Sequence, residues 1–156
     1  MDTVDLDIDL DKVNRIVDDY GADESSLIQI LLDVQKQYNW LPPETVRRVS
    51  DRLDMPITQV YRVASFYKVL SITPRGKHIV KACLGTACHV RGGTKVMKKI
   101  GRTLGIETGE VTDDMQFSLE VVNCLGCCAL GPMITIDDEY HGKMTPEKAT
   151  EVIKNI

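Results

Sequence analysis

Aromatic residues are scarce: the 156-residue chain has one tryptophan, two phenylalanines and five tyrosines. Trp40, Tyr61, Phe66 and Tyr67 are therefore read as core or interface packing rather than as a platform for stacking bases. Basic charge is not in excess either, with 19 lysines and arginines against 23 acids and a net charge of -4. The basic residues are scattered, and no nucleic-acid partner is expected. No run approaches the roughly 20 apolar residues of a membrane span, and the amino end lacks the basic-then-apolar layout of a secretion signal, so a cytoplasmic protein without membrane insertion is expected. Neither a G-x-G-x-x-G string nor a P-loop is present, so the chain carries no nucleotide site of its own. There are no internal repeats.

What is present is a core's worth of apolar residues, 43% of the chain, arranged with two different periods. From Asp23 to Tyr38, Leu27, Ile30, Leu31 and Val34 recur at helical spacing, with Asp23 or Ser25 available as N-cap. Pro42-Pro43 ends that helix and Pro43 opens the next, through ETVRRVSDRLDM. Another helix is expected from Thr58 as N-cap to about Val69, with Val60, Val63, Ala64 and Tyr67 on one side, and a short one over Lys12 to Asp19. The acidic run MDTVDLDIDLDKVNRIVDD at the amino end reads as a solvated face or a frayed start. These segments form a helical bundle over residues 1–75, with the boundary in the aperiodic stretch SITPRGKH.

Residues 76–156 read differently. HIVKAC is a short strand, GGTKVMKKIGRTLG a helix with Val96, Met97, Ile100 and Leu104 on one face, and FSLEVVN a strand with Phe117, Leu119 and Val121 on one side. MITID and EYHGKM follow as two further strands, and Thr145-Pro146-Glu147 opens a closing helix. The order β, α, β, β, α predicts a mixed sheet with helices packed on it, and the fold class is α+β: a helical bundle followed by a thioredoxin-like α/β domain.

All five cysteines fall in this second half, in KACLGTACHVRGG and VVNCLGCCALGPM. In a reducing compartment clustered thiols point to metal or redox chemistry rather than to structural disulfides. Cys83 and Cys88 form C-x4-C after the first strand, and Cys124 and Cys128 form C-x3-C after the second. If those strands run side by side and parallel, both loops leave the same edge and four thiolates converge. Zinc knuckles favour tighter C-x2-C pairs around one ion, whereas a 2Fe-2S rhomb needs two thiolates on each of two irons and suits wider loops. No Asp or Glu lies in either loop, as suits an anionic centre that gains negative charge on reduction, and Arg91 is the nearby formal charge in the first loop. Cys127 can replace Cys128 on spacing alone. His89 reads as a solvent-facing or hydrogen-bonding histidine rather than a ligand. Two other readings stand beside the cluster: a thiol oxidoreductase using Cys124 with Cys127, and a zinc-stapled interaction module.

The strings CLGTACHVRGG, NCLGCCALGPM and EYHGKMTPEKATEVI, with the helical segment LIQILLDVQKQYNWLPPETVRRVSDRLDM ahead of them, resemble the thioredoxin-like 2Fe-2S subunits of NADH:quinone oxidoreductase and of NAD(P)-linked hydrogenases and formate dehydrogenases. The resemblance covers nearly the whole chain. It implies one 2Fe-2S cluster on Cys83, Cys88, Cys124 and Cys128, leaving Cys127 out. It further implies an electron-transfer subunit with no catalysis alone. The implied partner is a flavoprotein carrying FMN, an NAD(H) site and a 4Fe-4S cluster, with a further iron-sulfur or hydrogenase subunit beyond it. The short length and the CLGCC string look more like the small subunits of soluble electron-bifurcating complexes than those of respiratory ones.

Overall fold

A computed structural model describes residues 8–156, which divide between Pro74 and Arg75 into two compact units. The first part of the acidic run, residues 1–7, lies outside the described residues; its continuation is helical. The first helix, α1 (Leu10–Asp19), begins where the Asp9 carboxylate accepts hydrogen bonds from the backbone of Asp11 and Lys12, and it buries Val13 and Val17 one turn apart. Helix α2 (Leu27–Tyr38) buries Leu27, Ile30, Leu31 and Val34, the stripe expected from their spacing. Asp23 caps a 3-10 turn, Glu24–Ser26, that leads into it, and Ser25 is inside that turn rather than a cap. Pro43 starts α3 (Pro43–Arg52), where the buried Thr45 hydroxyl donates to the Pro42 carbonyl at 2.8 Å.

Helix α4 differs from the sequence reading at both ends, since it spans Ile57–Phe66 with Pro56 as its cap instead of Thr58. It stops short of Val69 because the following backbone is held elsewhere. The Gln35 side chain donates to the Val69 carbonyl at 2.8 Å and accepts from the Ser71 N–H at 2.6 Å, while the Leu41 N–H donates to the Ser71 carbonyl at 2.7 Å. Tyr67 is therefore extended rather than helical. Within this unit the apolar faces of α1 to α4 meet in one core that includes Leu31, Val49 and Val60, and Trp40 is largely buried. Each such fully buried aliphatic side chain contributes about 1.5–3 kcal/mol. Phe66 is instead 78% exposed, so it is not a core residue of the bundle.

The second unit, Arg75–Ile156, is built on a four-stranded sheet in the order β2-β1-β3-β4. Strand β1 (His78–Cys83) runs parallel to β2 (Phe117–Val122) with Cys83 opposite Val122, and antiparallel to β3 (Ile134–Ile136). A two-residue turn, Asp137 and Asp138, both with positive φ, joins β3 to β4 (Glu139–His141). Between β1 and β2 lie a one-turn helix α5 (Thr86–Val90) and the longer α6 (Gly93–Leu104); α7 (Pro146–Lys154) closes the chain, capped by the Thr145 hydroxyl. Val96 and Ile100 of α6, Ala149 and Ile153 of α7, and Val80, Leu119 and Ile134 of the sheet form the core.

Strand β2 departs from simple alternation. Ser118 is buried on the face opposite Leu119, where its hydroxyl accepts from the Gly76 N–H at 2.6 Å, and Val121 is only half-buried. The backbone pairing continues ahead of the strands, where the Lys77 N–H donates to the Met115 carbonyl and the His78 N–H to that of Gln116. A polar residue is tolerated there because a backbone donor meets it.

Candidate metal centre

The parallel register brings the ends of β1 and β2 level, so the cysteine loops leave one edge of the sheet. Cys83 is the last residue of β1, and Cys124 comes two residues after Val122 ends β2. The Leu84 N–H donates to the Val122 carbonyl at 3.0 Å, which zips the two exits together. Gly85 then lies so close that a Cβ would meet the Asn123 carbonyl oxygen at 2.6 Å, a contact no larger residue could make. From there the chain turns once as α5, whose Cys88 points back beside Cys83; both are almost fully buried. Such a turn of five residues is too short to leave a readable period in the sequence.

The second loop closes over the first. After Cys124 the chain passes Cys127 and makes a 3-10 turn, Cys128–Leu130, followed by a cis bond between Gly131 and Pro132. A Cβ on Gly131 would lie 3.0 Å from the Cys88 sulfur. The Met133 carbonyl accepts from the Cys83 N–H at 3.0 Å, so the exit of this loop is pinned to the end of β1. Cys124 and Cys128 are exposed, whereas Cys127 is half-buried against Cys83, Cys88 and Met133, its thiol donating to the Leu125 carbonyl at 3.6 Å.

All five cysteines thus line one cavity of about 600 Å³. The four singled out by spacing are brought together, and so is Cys127. Thiols aside, Arg91 is the only charged side chain among the cavity's described lining residues; His89 turns away to share a hydrogen bond with the Thr94 hydroxyl at 3.1 Å. The Arg91 guanidinium donates to the Cys128 carbonyl at 2.6 Å, a bond between the two loops that the sequence, which showed only a nearby charge, does not disclose.

The two buried thiols are pushed in opposite directions. Burial alone would push the Cys83 thiol up, but backbone N–H groups of Gly85 and Leu125 donating to its sulfur outweigh burial, together with the Cys88 thiol, so it titrates below the ordinary range. Cys88 is pushed up, first by burial and then by Cys83 beside it. The Gly126 N–H donates to the Cys124 sulfur at 3.3 Å. N–H groups aimed at sulfur, with no carboxylate among the cavity's described lining residues, suit an anionic iron-sulfur centre. Among the described residues no three His, Cys, Asp or Glu side chains are gathered as one metal ion would require.

The profile of the thioredoxin-like [2Fe-2S] ferredoxin family matches residues 13–156. The chain belongs to that family. Its relatives include HndA, a component of the NADP-reducing hydrogenase of Solidesulfovibrio fructosivorans, 33% identical over 91% of this chain and 83% of the relative. A component of the NADH-quinone oxidoreductase of Rickettsia bellii is 38% identical over 84% of this chain and 80% of its own, and its Escherichia coli counterpart is 33% identical over 86% and 81%. Among solved structures, a chain of an air-oxidized NAD+-reducing [NiFe]-hydrogenase superposes with a TM-score of 0.72 over 83% of this chain at 17% identity; the match spans 22% of that longer chain and speaks for the fold. The 2Fe-2S family assignment sets aside zinc and dithiol chemistry as the leading description of the cavity, and the parallel β1–β2 pair gives this chain's two cysteine loops a common edge. No described helix is long and apolar enough to cross a membrane.

Proposed function

We propose that this chain is an electron-transfer subunit in which Cys83, Cys88, Cys124 and Cys128 hold one 2Fe-2S cluster. Bound there, the cluster would take up and release single electrons, exchanged with the FMN of a partner flavoprotein that oxidises NAD(P)H. The chain's own part is to bind and orient it. Cys83 and Cys88 supply buried thiols from a rigid strand end and turn, Cys124 and Cys128 supply exposed ones from the second loop, and the N–H groups of Gly85, Leu125 and Gly126 stabilise charge on sulfur. Convergence of both loops at one sheet edge is the observation that carries this reading.

Cys127 is left out of the ligand set because its thiol is turned to the Leu125 carbonyl and packed beside Met133, while Cys128 is open on the 3-10 turn. The helical unit serves assembly with the larger subunits, and Arg47, Arg48, Arg62 and the exposed Phe66 and Tyr67 are candidates for that contact. The parent complex in this reading is a cytoplasmic, electron-bifurcating hydrogenase or related dehydrogenase; the alignment with HndA over 91% of this chain supports its hydrogenase part. A second reading, membership of a respiratory NADH:quinone oxidoreductase, is favoured by the 38% identity to the Rickettsia relative.

Anaerobic purification tests the core of the proposal. The expected protein is brown, carries about two irons and two sulfides per chain, and shows a rhombic paramagnetic signal after dithionite reduction. Colourless material that takes up no iron on reconstitution, or that binds a single zinc, would overturn it. Co-purification from the native cell with a flavoprotein and a hydrogenase subunit supports the first parent complex, and with a quinone-reducing membrane module the second.

A further inference from the structure

Arg91 lies at the C-terminal end of α5, on the surface, yet its side chain reaches across to the loop that follows β2. Its guanidinium donates to the carbonyl of Cys128 at 2.6 Å, 37 residues away in sequence. Three features single this contact out. It is made to the backbone of a cysteine that lines the cavity rather than to a neighbouring acid. It leaves the positive charge facing a cavity whose described lining residues include no carboxylate to neutralise it. The 3-10 turn it holds, Cys128–Leu130, is short, exposed and otherwise tied down by the Lys143 N–H on the Leu130 carbonyl and by bonds within the loop itself.

We propose that Arg91 is a positioning residue for the cluster site. Its guanidinium clamps the Cys128 turn onto the Cys88 helix, and its charge favours the reduced form of a 2Fe-2S centre bound there. The inference rests on the proposed function above. On reduction the centre accepts one electron from an external donor, the partner's reduced flavin or dithionite in a test, no proton moves, and the site gains one negative charge. A cation at the cavity wall stabilises that added charge, whereas a neutral side chain of similar length does not. Lysine keeps the charge but lacks the planar fork that lets arginine hold a carbonyl at a fixed angle. The two contributions are therefore separable by substitution.

The test compares the full chain, anaerobically reconstituted, with Arg91→Gln and Arg91→Lys. Because the side chain is exposed, neither change opens a cavity, and circular dichroism of the iron-free proteins verifies the fold. Arg91→Gln is expected to load with iron, to show a ratio of reduced to oxidised cluster about three- to tenfold lower at the wild-type midpoint potential, tenfold being 59 mV for one electron, and to lose iron to a chelator several times faster. Arg91→Lys is expected to recover most of the reduced fraction while still losing iron fast. Arg91→Gln matching wild type in both measurements, or Arg91→Lys losing as much reduced cluster as Arg91→Gln, would overturn the inference and leave the proposed function standing. A wild-type chain that binds no cluster would overturn both.

Discussion

In the helical unit the apolar faces of four helices close on one continuous core, and the charged residues are left on its outside. The sheet unit divides its buried side chains in two: an aliphatic core under α6 and α7, and a separate cluster of Cys83, Cys88 and Met133 at the strand ends. That second cluster is small, borders an open cavity, and has its backbone held by hydrogen bonds both within and between loops. The contrast separates two jobs. Where burial is continuous, side chains are interchangeable so long as volume is kept; where the buried groups are thiols beside a cavity, their identity is the point, and on the proposed function part of the stabilisation would come from what binds them. Trp40, the chain's only tryptophan, reports on the helical unit, and the visible spectrum of a bound cluster reports on the other, so each job can be followed separately.

The sharpest way to break this contrast is to remove a proposed ligand. Cys83→Ser and Cys128→Ser are expected to reduce bound iron by about tenfold or more relative to wild type, because hydroxyl oxygen is a poor substitute for thiolate in an iron-sulfur centre, with Trp40 emission unaltered. Cys127→Ser should keep iron near the wild-type level. Iron lost from Cys127→Ser and kept by Cys128→Ser would reassign the second loop.

The converse experiment truncates the helical core. Leu31 of α2 is fully buried in the helical core, and Leu31→Ala should cost about 2–5 kcal/mol in denaturant unfolding followed by Trp40. Iron per folded chain should be unchanged. A core truncation that also bleaches the cluster would mean that the two jobs are not separable.

Gly85→Ala probes the seam between the loops. Its added methyl would press on the backbone oxygen of Asn123 at 2.6 Å, an atom that cannot swing aside like a side chain. Such overpacking costs about 1–3 kcal/mol, and the expected readout is slower and less complete iron uptake. Unchanged uptake would show that the strand exits are looser than their spacing suggests.

Elements with a period are readable in the sequence, whereas contacts between distant segments are hidden in it. The stripe Leu27, Ile30, Leu31 and Val34 specifies α2, and HIVKAC specifies β1 to the residue. The spacing of the cysteines is enough to expect two loops at one edge, because a parallel β1–β2 pair leaves no other place for them. Helix α4 ends at Phe66, before its apolar pattern does, since propensity says nothing of Gln35 reaching from α2 to claim the backbone of Val69 and Ser71. Ser118 is invisible for the same reason: its burial depends on Gly76, 42 residues away. The clamp from Arg91 to Cys128 belongs to this class, a long-range side-chain contact to backbone with no local signature.

The smallest effect expected lies in the helical unit and concerns acid stability. Asp33 is held below the ordinary carboxyl range first by the Lys36 ammonium, 2.7 Å away, and then by the Tyr20 hydroxyl donating at 2.6 Å, against the opposing push of burial. A carboxyl depressed on folding gives stability that is present above its unfolded value, about pH 4, and lost as pH falls through its folded value. Either Tyr20→Phe or Lys36→Met should therefore move the midpoint of acid unfolding, followed by Trp40, upward by about a few tenths of a pH unit. The two should part in salt. Lys36 is 74% exposed, so its attraction is screened at about 1 M ionic strength, whereas the short hydrogen bond from Tyr20 to the partly buried carboxylate persists. The Lys36→Met shift should thus shrink in high salt and the Tyr20→Phe shift remain; equal shrinkage of both would mean that the hydroxyl acts on Asp33 only through the same screened field as the ammonium.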